Sequence, residues 1–173
     1  MLKKLQAQNF DEVYSIMEEA FPIDERRPYE EQKALLSREE YCIYILQNTD
    51  SDEIKAFITV YRFPKFAYVE HFATNRKFRN QGLGAVVLKE LSGLLSCGIC
   101  LEVELPETET AKRRIAFYKR NGFYLNEFSY MQPPISMGKR AIPLLIMTSG
   151  GRVTQGEFEK IKSVLYQNVY GIK

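Results

Sequence analysis

Arg79-Asn80-Gln81-Gly82-Leu83-Gly84 is the stretch of this 173-residue chain that decides the fold prediction. It follows an apolar, aromatic-rich segment, residues 66–74, and opens a segment with apolar residues at helical spacing, residues 82–96. A glycine-rich turn at such a strand-to-helix junction brings backbone N–H groups and the positive end of a helix dipole to one point. Arg76 and Lys77 add positive charge beside it. We therefore predict a phosphate-binding turn.

Glycine-rich turns at strand-to-helix junctions also serve other purposes. A pair of glycines at a strand-to-helix turn often serves only tight packing, so the pair alone leaves that alternative open. A dinucleotide-binding turn needs a third glycine where this chain has Val87. A nucleoside triphosphate loop needs Gly-Lys-Ser or Gly-Lys-Thr, which does not occur in the sequence. The two rival phosphate-binding turns are therefore excluded.

Hydrophobic periodicity and turn residues predict the order of elements in the rest of the chain. The predicted strands are residues 2–8, 41–47, 54–63, 66–74, 99–105, 123–130 and 142–148, and the predicted helices are residues 10–20, 28–37, 82–96, 109–121 and 155–170. Residues 66–105 form a strand-helix-strand unit, which requires a parallel, right-handed crossover. The predicted fold class is therefore α/β (α+β), with a mixed, mostly antiparallel sheet. The polar residues 23–27 are predicted to lie at the surface.

Composition and charge bound the possible functions. The length predicts a single domain over residues 1–173. The net charge of +2 is too small to attract nucleic acid or an anionic membrane through the overall field of the protein. Three cysteines are too few for a disulfide framework, and the Cys97–Cys100 pair lacks the partners of a zinc site, so no metal is expected. No apolar run suits a signal peptide or a membrane span. These features favour a cytoplasmic protein.

A second motif lies downstream of the turn. The segment 114–123 contains an aromatic-Tyr pair, Phe117-Tyr118, followed by Gly122-Phe123. Together with Arg79, Gly82 and Gly84, it resembles the two ordered signatures of the GNAT superfamily of acyl-coenzyme-A-dependent N-acyltransferases. The resemblance extends along nearly the whole chain. It implies a central pair of parallel strands that splay apart, helices on both faces of the sheet, acetyl-CoA as co-substrate, and an amine of a small molecule or peptide as acceptor.

The resemblance also implies roles for individual residues. The backbone of Phe72, Ala73 and Thr74 would pair with pantetheine and polarise the thioester carbonyl. The turn residues would hold the pyrophosphate: Arg79, Asn80, Gln81, Gly82, Leu83, Gly84 and Ala85. Tyr118 would donate a proton to the leaving thiolate.

The general base is less defined by the sequence. Glu70 and Glu102, each in a predicted strand, are the candidates. Strand alternation puts Glu70 on the same face as Tyr68 and Phe72, and His71 on the opposite face, where a structural role is expected.

The chain departs from the family pattern at one position. Ala111 occupies the place, seven residues before the proposed acid, where the family often has an Asn that contacts pantetheine. Thr108, Thr110 or a water is a candidate replacement for this contact. The departure keeps a second function open, an acyl-CoA-binding module without turnover. Nucleic-acid binding through the basic residues is disfavoured by the balanced charge, and exposed edge strands make a homodimer reasonable.

Overall fold

The computed structural model describes residues 1–172, and the chain divides into two compact units, Met1–Ile99 and Cys100–Lys173. The single-domain organisation over residues 1–173 stays a prediction. Within the described residues, no helix is both long enough and apolar enough to cross a membrane. The same part of the chain holds no group of three or more His, Cys, Asp or Glu side chains arranged to bind a metal ion.

The first unit is an antiparallel sheet with helices packed on it. Its elements are β1 (Lys3–Lys4), α1 (Phe10–Ala20), α2 (Tyr29–Ala34), β2 (Tyr41–Gln47), β3 (Ile54–Arg62), β4 (Phe66–Thr74) and α3 (Leu83–Leu94). The strand order is β1-β2-β3-β4, and each neighbouring pair is antiparallel. β3 is buried at consecutive positions rather than at alternate ones, which requires cover on both faces. α1 and α3 both pack against β3 and β4 and bury the apolar side chains of this sheet.

The second unit takes in β5 (Gly98–Glu104) from Cys100 onward, and contains α4 (Glu109–Arg120), β6 (Phe123–Gln132), β7 (Ile142–Ser149) and α5 (Gln155–Asn168). The three strands follow the order β5-β7-β6 and are antiparallel. α4 and α5 both pack on β6, and Phe158 and Leu165 of α5 are fully buried. α5 begins with a capping box in which the Thr154 hydroxyl accepts from the Glu157 N–H and the Glu157 carboxylate accepts from the Thr154 N–H.

The predicted fold class, a mixed α/β fold of mostly antiparallel strands, is confirmed. The predicted strand 66–74 matches β4 residue for residue. The first strand is much shorter than predicted, because only Lys3 and Lys4 pair with β2 and a 3-10 turn begins at Ala7. The predicted surface position of residues 23–27 is wrong for Arg27, which is 5% exposed.

Candidate active site

The turn between β4 and α3 has the backbone conformation of an anion-binding nest. Asn80 and Gly82 both adopt left-handed conformations, with φ of 63° and 72°. Gly82 precedes α3 and offers no side chain to cap it. Among the described residues, none accepts a hydrogen bond from the five consecutive amides Asn80 to Gly84, and the first turn bond runs from the Ala85 N–H to the Gly82 carbonyl at 3.1 Å. Five amides without a protein acceptor, here called the nest, thus lie at the start of α3, at the positive end of its dipole.

Cationic side chains lie next to these amides in the sequence. Lys77 is neutralised by Glu53, with 2.5 Å between Nζ and Oε1. Arg76 and Arg79 are exposed, and in the part of the chain that the structure describes neither forms an ion pair. Arg79 donates from Nε to the Thr74 carbonyl at 3.5 Å. The turn therefore combines free N–H donors with two arginine charges that no carboxylate neutralises, a combination suited to a phosphate or pyrophosphate group.

A β-bulge interrupts β4 just before this turn. Val60 and Ile58 of β3 pair with Val69 and Phe72 of β4, so two residues, Glu70 and His71, lie opposite the single residue Thr59. The His71 N–H donates to the Thr59 hydroxyl at 2.8 Å. The bulge therefore inserts one extra residue into the strand at Glu70.

The bulge overturns the predicted side-chain alternation along β4. Glu70 Oε2 lies 3.4 Å from His71 Nδ1, so these neighbours face the same region, and the prediction that His71 points away from Glu70 is wrong. Phe72 shares its face with Val69, since their partners Ile58 and Val60 are two apart on β3. The physical reason is that the extra residue shifts the period-two alternation by one position.

Glu70 forms a buried ion pair with Arg27, which lies between α1 and α2. Arg27 donates from Nη1 to Glu70 Oε1 at 2.7 Å, and both side chains are more than nine-tenths buried. Burial alone would raise the pKa of Glu70, but the charge of Arg27 and the neighbouring His71 imidazole hold that pKa down to about 2. Burial is the largest single influence on the pKa of Arg27 and acts to lower it, but the charge of Glu70, the hydrogen bond to Glu70 and the nearby tyrosines together raise that pKa. Glu70 is thus firmly ionised at neutral pH.

Tyr118, the proposed acid, lies in α4 with its ring packed between Phe117 and Phe123. The residue is 8% exposed, and its hydroxyl makes no hydrogen bond to any residue that the structure describes. Burial raises the pKa of Tyr118 to about 12. A phenol in this state keeps its proton at neutral pH and has it available to donate.

Ala111 is buried in the first turn of α4. Its N–H donates to the Thr108 hydroxyl at 3.1 Å, which caps the helix. The hydroxyl of Thr108 is therefore engaged within the helix terminus, whereas Thr110 is exposed. Of the two threonines proposed to replace the missing Asn, Thr108 already has a structural role.

Glu102, the second candidate base, accepts hydrogen bonds from two tyrosines. The Tyr130 hydroxyl donates to Oε1, and the Tyr170 hydroxyl lies 3.0 Å from Oε1 and 2.8 Å from Oε2. Burial first, and then the charge of Glu102, raise the pKa of Tyr130. Both oxygens of Glu102 are committed in this arrangement.

The structure brings the predicted residues Phe72 to Ala85 together as one strand-turn-helix segment, with Glu70 at its start. Sequence reasoning missed Arg27 and the polar side chains near it. One signal was available, because a glutamate inside an otherwise apolar strand requires a buried cationic partner. Nothing in the sequence indicated which of the chain's cations would supply it.

Residues 10–123 match the Acetyltransferase (GNAT) family. The chain belongs to the GNAT family. A solved GNAT-family structure from Bacteroides thetaiotaomicron is 37% identical, with a TM-score of 0.89, over 100% of this chain and 99% of the other. No curated protein is significantly similar to the chain.

More distant solved structures share the fold. The ribosomal-protein-S18-alanine N-acetyltransferase from Escherichia coli matches with a TM-score of 0.65 at 19% identity, over 89% of this chain and 95% of its own. Arabidopsis thaliana NAA60, solved with a bisubstrate analogue, matches with a TM-score of 0.65 at 15% identity, over 86% of this chain and 97% of its own. At these identities the likeness shows the fold alone.

Proposed function

We propose that this GNAT protein transfers an acetyl group from acetyl-CoA to an amine of a small molecule or peptide. The observation that carries the proposal is the run of five uncommitted amides from Asn80 to Gly84. Such a run of amides suits an anion with several acceptor oxygens, and a pyrophosphate is such an anion. Family membership makes coenzyme A the carrier of that pyrophosphate.

The cofactor-binding residues follow from this assignment. The proposed set, as the sequence indicated, is Phe72, Ala73, Thr74, Arg79, Asn80, Gln81, Gly82, Leu83, Gly84 and Ala85. The nest amides would hold the pyrophosphate, and Arg76 would supply charge from just outside the set. The strand residues would offer backbone N–H and C=O groups to the pantetheine amides and to the thioester oxygen.

The reaction would be a direct acyl transfer. The amine nitrogen attacks the thioester carbonyl carbon, a C–N bond forms, the C–S bond breaks, and one proton leaves the nitrogen while one reaches the sulfur. Tyr118 would supply the proton to the sulfur, an assignment supported by its uncommitted hydroxyl and by the rise of its pKa to about 12.

Glu70 and Glu102 remain the proposed acceptors of the amine proton. The hydrogen-bond partners of their carboxylate oxygens favour one over the other. Both oxygens of Glu102 accept from tyrosines. Glu70 has one oxygen bound to Arg27, whereas its Oε2 has only His71 Nδ1 beside it, 3.4 Å away. A pKa near 2 makes Glu70 a weak base, so its proton acceptance would be transient, through water. We therefore rank Glu70 ahead of Glu102.

Coenzyme A binding and thiol release across a panel of amines, measured on the same preparation, test the proposal. Tight binding with thiol release that depends on an amine is the expected result. Tight binding without any release would support the alternative, an acyl-CoA-binding module, which Ala111 favours because its methyl side chain cannot make the amide contact common in the family. Absence of coenzyme A binding would overturn both.

A further inference from the structure

The imidazole of His71 lies between two hydrogen-bond acceptors. Its Nε2 is 2.7 Å from the Glu25 carbonyl oxygen, which only accepts, so Nε2 carries a proton. Its Nδ1 is 3.4 Å from Glu70 Oε2, and no other part of the chain that the structure describes pairs with either of these two atoms. With its one ring proton on Nε2, the neutral imidazole therefore turns a bare Nδ1 toward a carboxylate oxygen.

Two acceptors that face each other in this way are one proton short of a hydrogen bond. Both side chains are only 2% exposed, so little water screens the repulsion between the Glu70 carboxylate and the Nδ1 lone pair. A proton on Nδ1 converts this repulsion into a charged hydrogen bond, because the imidazolium then donates to Oε2. Glu70 and His71 thus form a buried site for a single proton.

The surroundings of the pair place that proton on His71 rather than on Glu70. Arg27 donates from Nη1 to Glu70 Oε1 at 2.7 Å, and its charge favours the ionised form of the carboxylate. The pKa of Glu70 is accordingly held down to about 2. Histidine, in contrast, ordinarily changes its charge between about pH 5 and 8. A proton delivered to this pair near neutral pH therefore comes to rest on Nδ1.

The elements packed around the imidazole add no competing charge in contact with it. The Phe21 ring packs edge-on against it, with 4.8 Å between ring centroids. The charged groups at the site are Glu70 on the same strand and Arg27 from the segment before α2. Tyr41 of β2 and Tyr61 of β3 are uncharged, because burial first, and then the charge of Glu70, raise the pKa of both phenols.

We propose that His71 is the final acceptor of the amine proton in the proposed acetyl transfer, and that it receives this proton at Nδ1 through the carboxylate of Glu70. This inference rests on the proposed function for the reaction itself. The amine nitrogen keeps the electron pair of the N–H bond that breaks, and the Nδ1 lone pair forms the new N–H bond. Because His71 acts through Glu70, it is a positioning residue, which holds the proton and orients the carboxylate.

Proton uptake by His71 balances the reaction. When the C–S bond has broken, the imidazolium holds one extra proton, and Tyr118, the proposed donor to the thiolate, is one proton short. His71 then returns its proton to solvent and Tyr118 takes one from solvent, so the chain is restored. Glu70 is ionised before and after the transfer, which agrees with its pKa of about 2.

The single histidine of the chain gives a direct readout of this proton site. The ring-nitrogen NMR signals of His71 are followed in the full chain from about pH 5 to 8. We expect Nε2 to be protonated throughout and Nδ1 to gain its proton as the pH falls. Glu70→Gln should lower the midpoint of this titration by about one pH unit or more, because the imidazolium loses its carboxylate partner. A proton on Nδ1 across the whole range, or an unmoved midpoint in Glu70→Gln, would overturn the proposal.

The pH dependence of the reaction links this proton site to turnover. The kcat/KM of the parent chain, for an amine that supports thiol release, should fall in acid with the midpoint that NMR gives for Nδ1, since only the neutral imidazole can take up a proton. The ionisation of the amine is titrated separately and subtracted. Thiol release whose kcat/KM does not follow the state of Nδ1 would refute the role of His71 and leave the transferase assignment intact.

His71→Gln separates proton uptake from a purely structural role. The glutamine amide N–H can replace Nε2–H in the bond to the Glu25 carbonyl, but the amide cannot take up a proton. We expect a free energy of unfolding in urea close to that of the parent chain, a kcat lower by about 100-fold, and no acid midpoint of the histidine type. Phe21→Leu is the matched control: it removes the ring contact and leaves both ring nitrogens, so the acid midpoint should not move.

These measurements distinguish failure of this inference from failure of the proposed function. A His71→Gln chain with the parent kcat contradicts the inference alone. If coenzyme A binds and no amine causes thiol release, the transferase assignment fails, and the role of His71 in turnover fails with it. The pH profile of the parent chain requires no variant, so the decision does not depend on whether His71→Gln folds.

Discussion

Glu70 Oε2 and His71 Nδ1 lie 3.4 Å apart although the two residues are neighbours in one strand. In a regular strand they would face opposite sides of the sheet. The bulge opposite Thr59 brings them to the same side, at the strand that leads into the proposed pyrophosphate turn. Glu70 is in turn held by Arg27, so one buried ionic network joins the segment before α2 to the bulge.

Arg27→Met should destabilise the protein by about 3–5 kcal/mol, since it leaves the buried carboxylate of Glu70 without its cation. Urea denaturation measures this change. Lys112→Met is the matched control: Lys112 pairs with Glu109 on an exposed helix surface, so its loss should change stability by about 0.5 kcal/mol or less. A similar small change for Arg27→Met would show that the buried pair does not hold the fold together.

Protonation of Glu70 should lower the free energy of unfolding at acidic pH. Its pKa is about 2 in the folded chain against an ordinary value of 4.5, so its stabilisation is fully present above pH 4.5 and is lost as the pH falls toward 2. At about 1.4 kcal/mol per pH unit, the loss amounts to about 3 kcal/mol. Denaturation across this pH range is compared with Glu70→Gln, which should be less stable at neutral pH and should lack this part of the acid dependence. An identical acid slope in both proteins would refute the assignment.

Gly82→Ala should weaken coenzyme A binding about tenfold, because a left-handed alanine is strained and the nest amides lose their alignment. Gly150→Ala is the control, since Gly150 also has a left-handed backbone, with φ of 81° against 72° for Gly82. An added Cβ meets no atom within 4 Å at either site. Isothermal titration with coenzyme A should therefore show a loss for Gly82→Ala alone. Equal losses in both variants would indicate a general stability effect rather than a pyrophosphate site.

Tyr118→Phe should lower kcat about 100-fold or more while leaving coenzyme A affinity unchanged, because only the proton donor is removed. Thiol release at saturating acetyl-CoA and amine measures kcat. Tyr124→Phe, at an exposed tyrosine of β6, is the control and should behave like the parent chain. A Tyr118→Phe protein that turns over at the parent rate would require a different acid.

The sequence by itself determined the features that depend on local pattern. Apolar spacing predicted both ends of α1, α3 and α4 to within two residues, and both ends of β4 without error. Gly82 at a strand-to-helix turn predicted the nest, because a left-handed residue before an uncapped helix leaves its first amides free. These features arise from backbone preferences and side-chain periodicity over a few neighbouring residues, and these can be read directly from the sequence.

Only the tertiary structure decided which distant residues meet. The burial of Arg27 and its pairing with Glu70 join positions 43 residues apart, and no local pattern specifies such a pair. The bulge at Glu70 and His71 is likewise invisible to strand alternation, because it depends on the register between β3 and β4. Register and long-range ion pairs are set by how the whole sheet packs, so the contacts of Glu70 with Arg27 and His71 became apparent only when the strands and the segment before α2 were placed together.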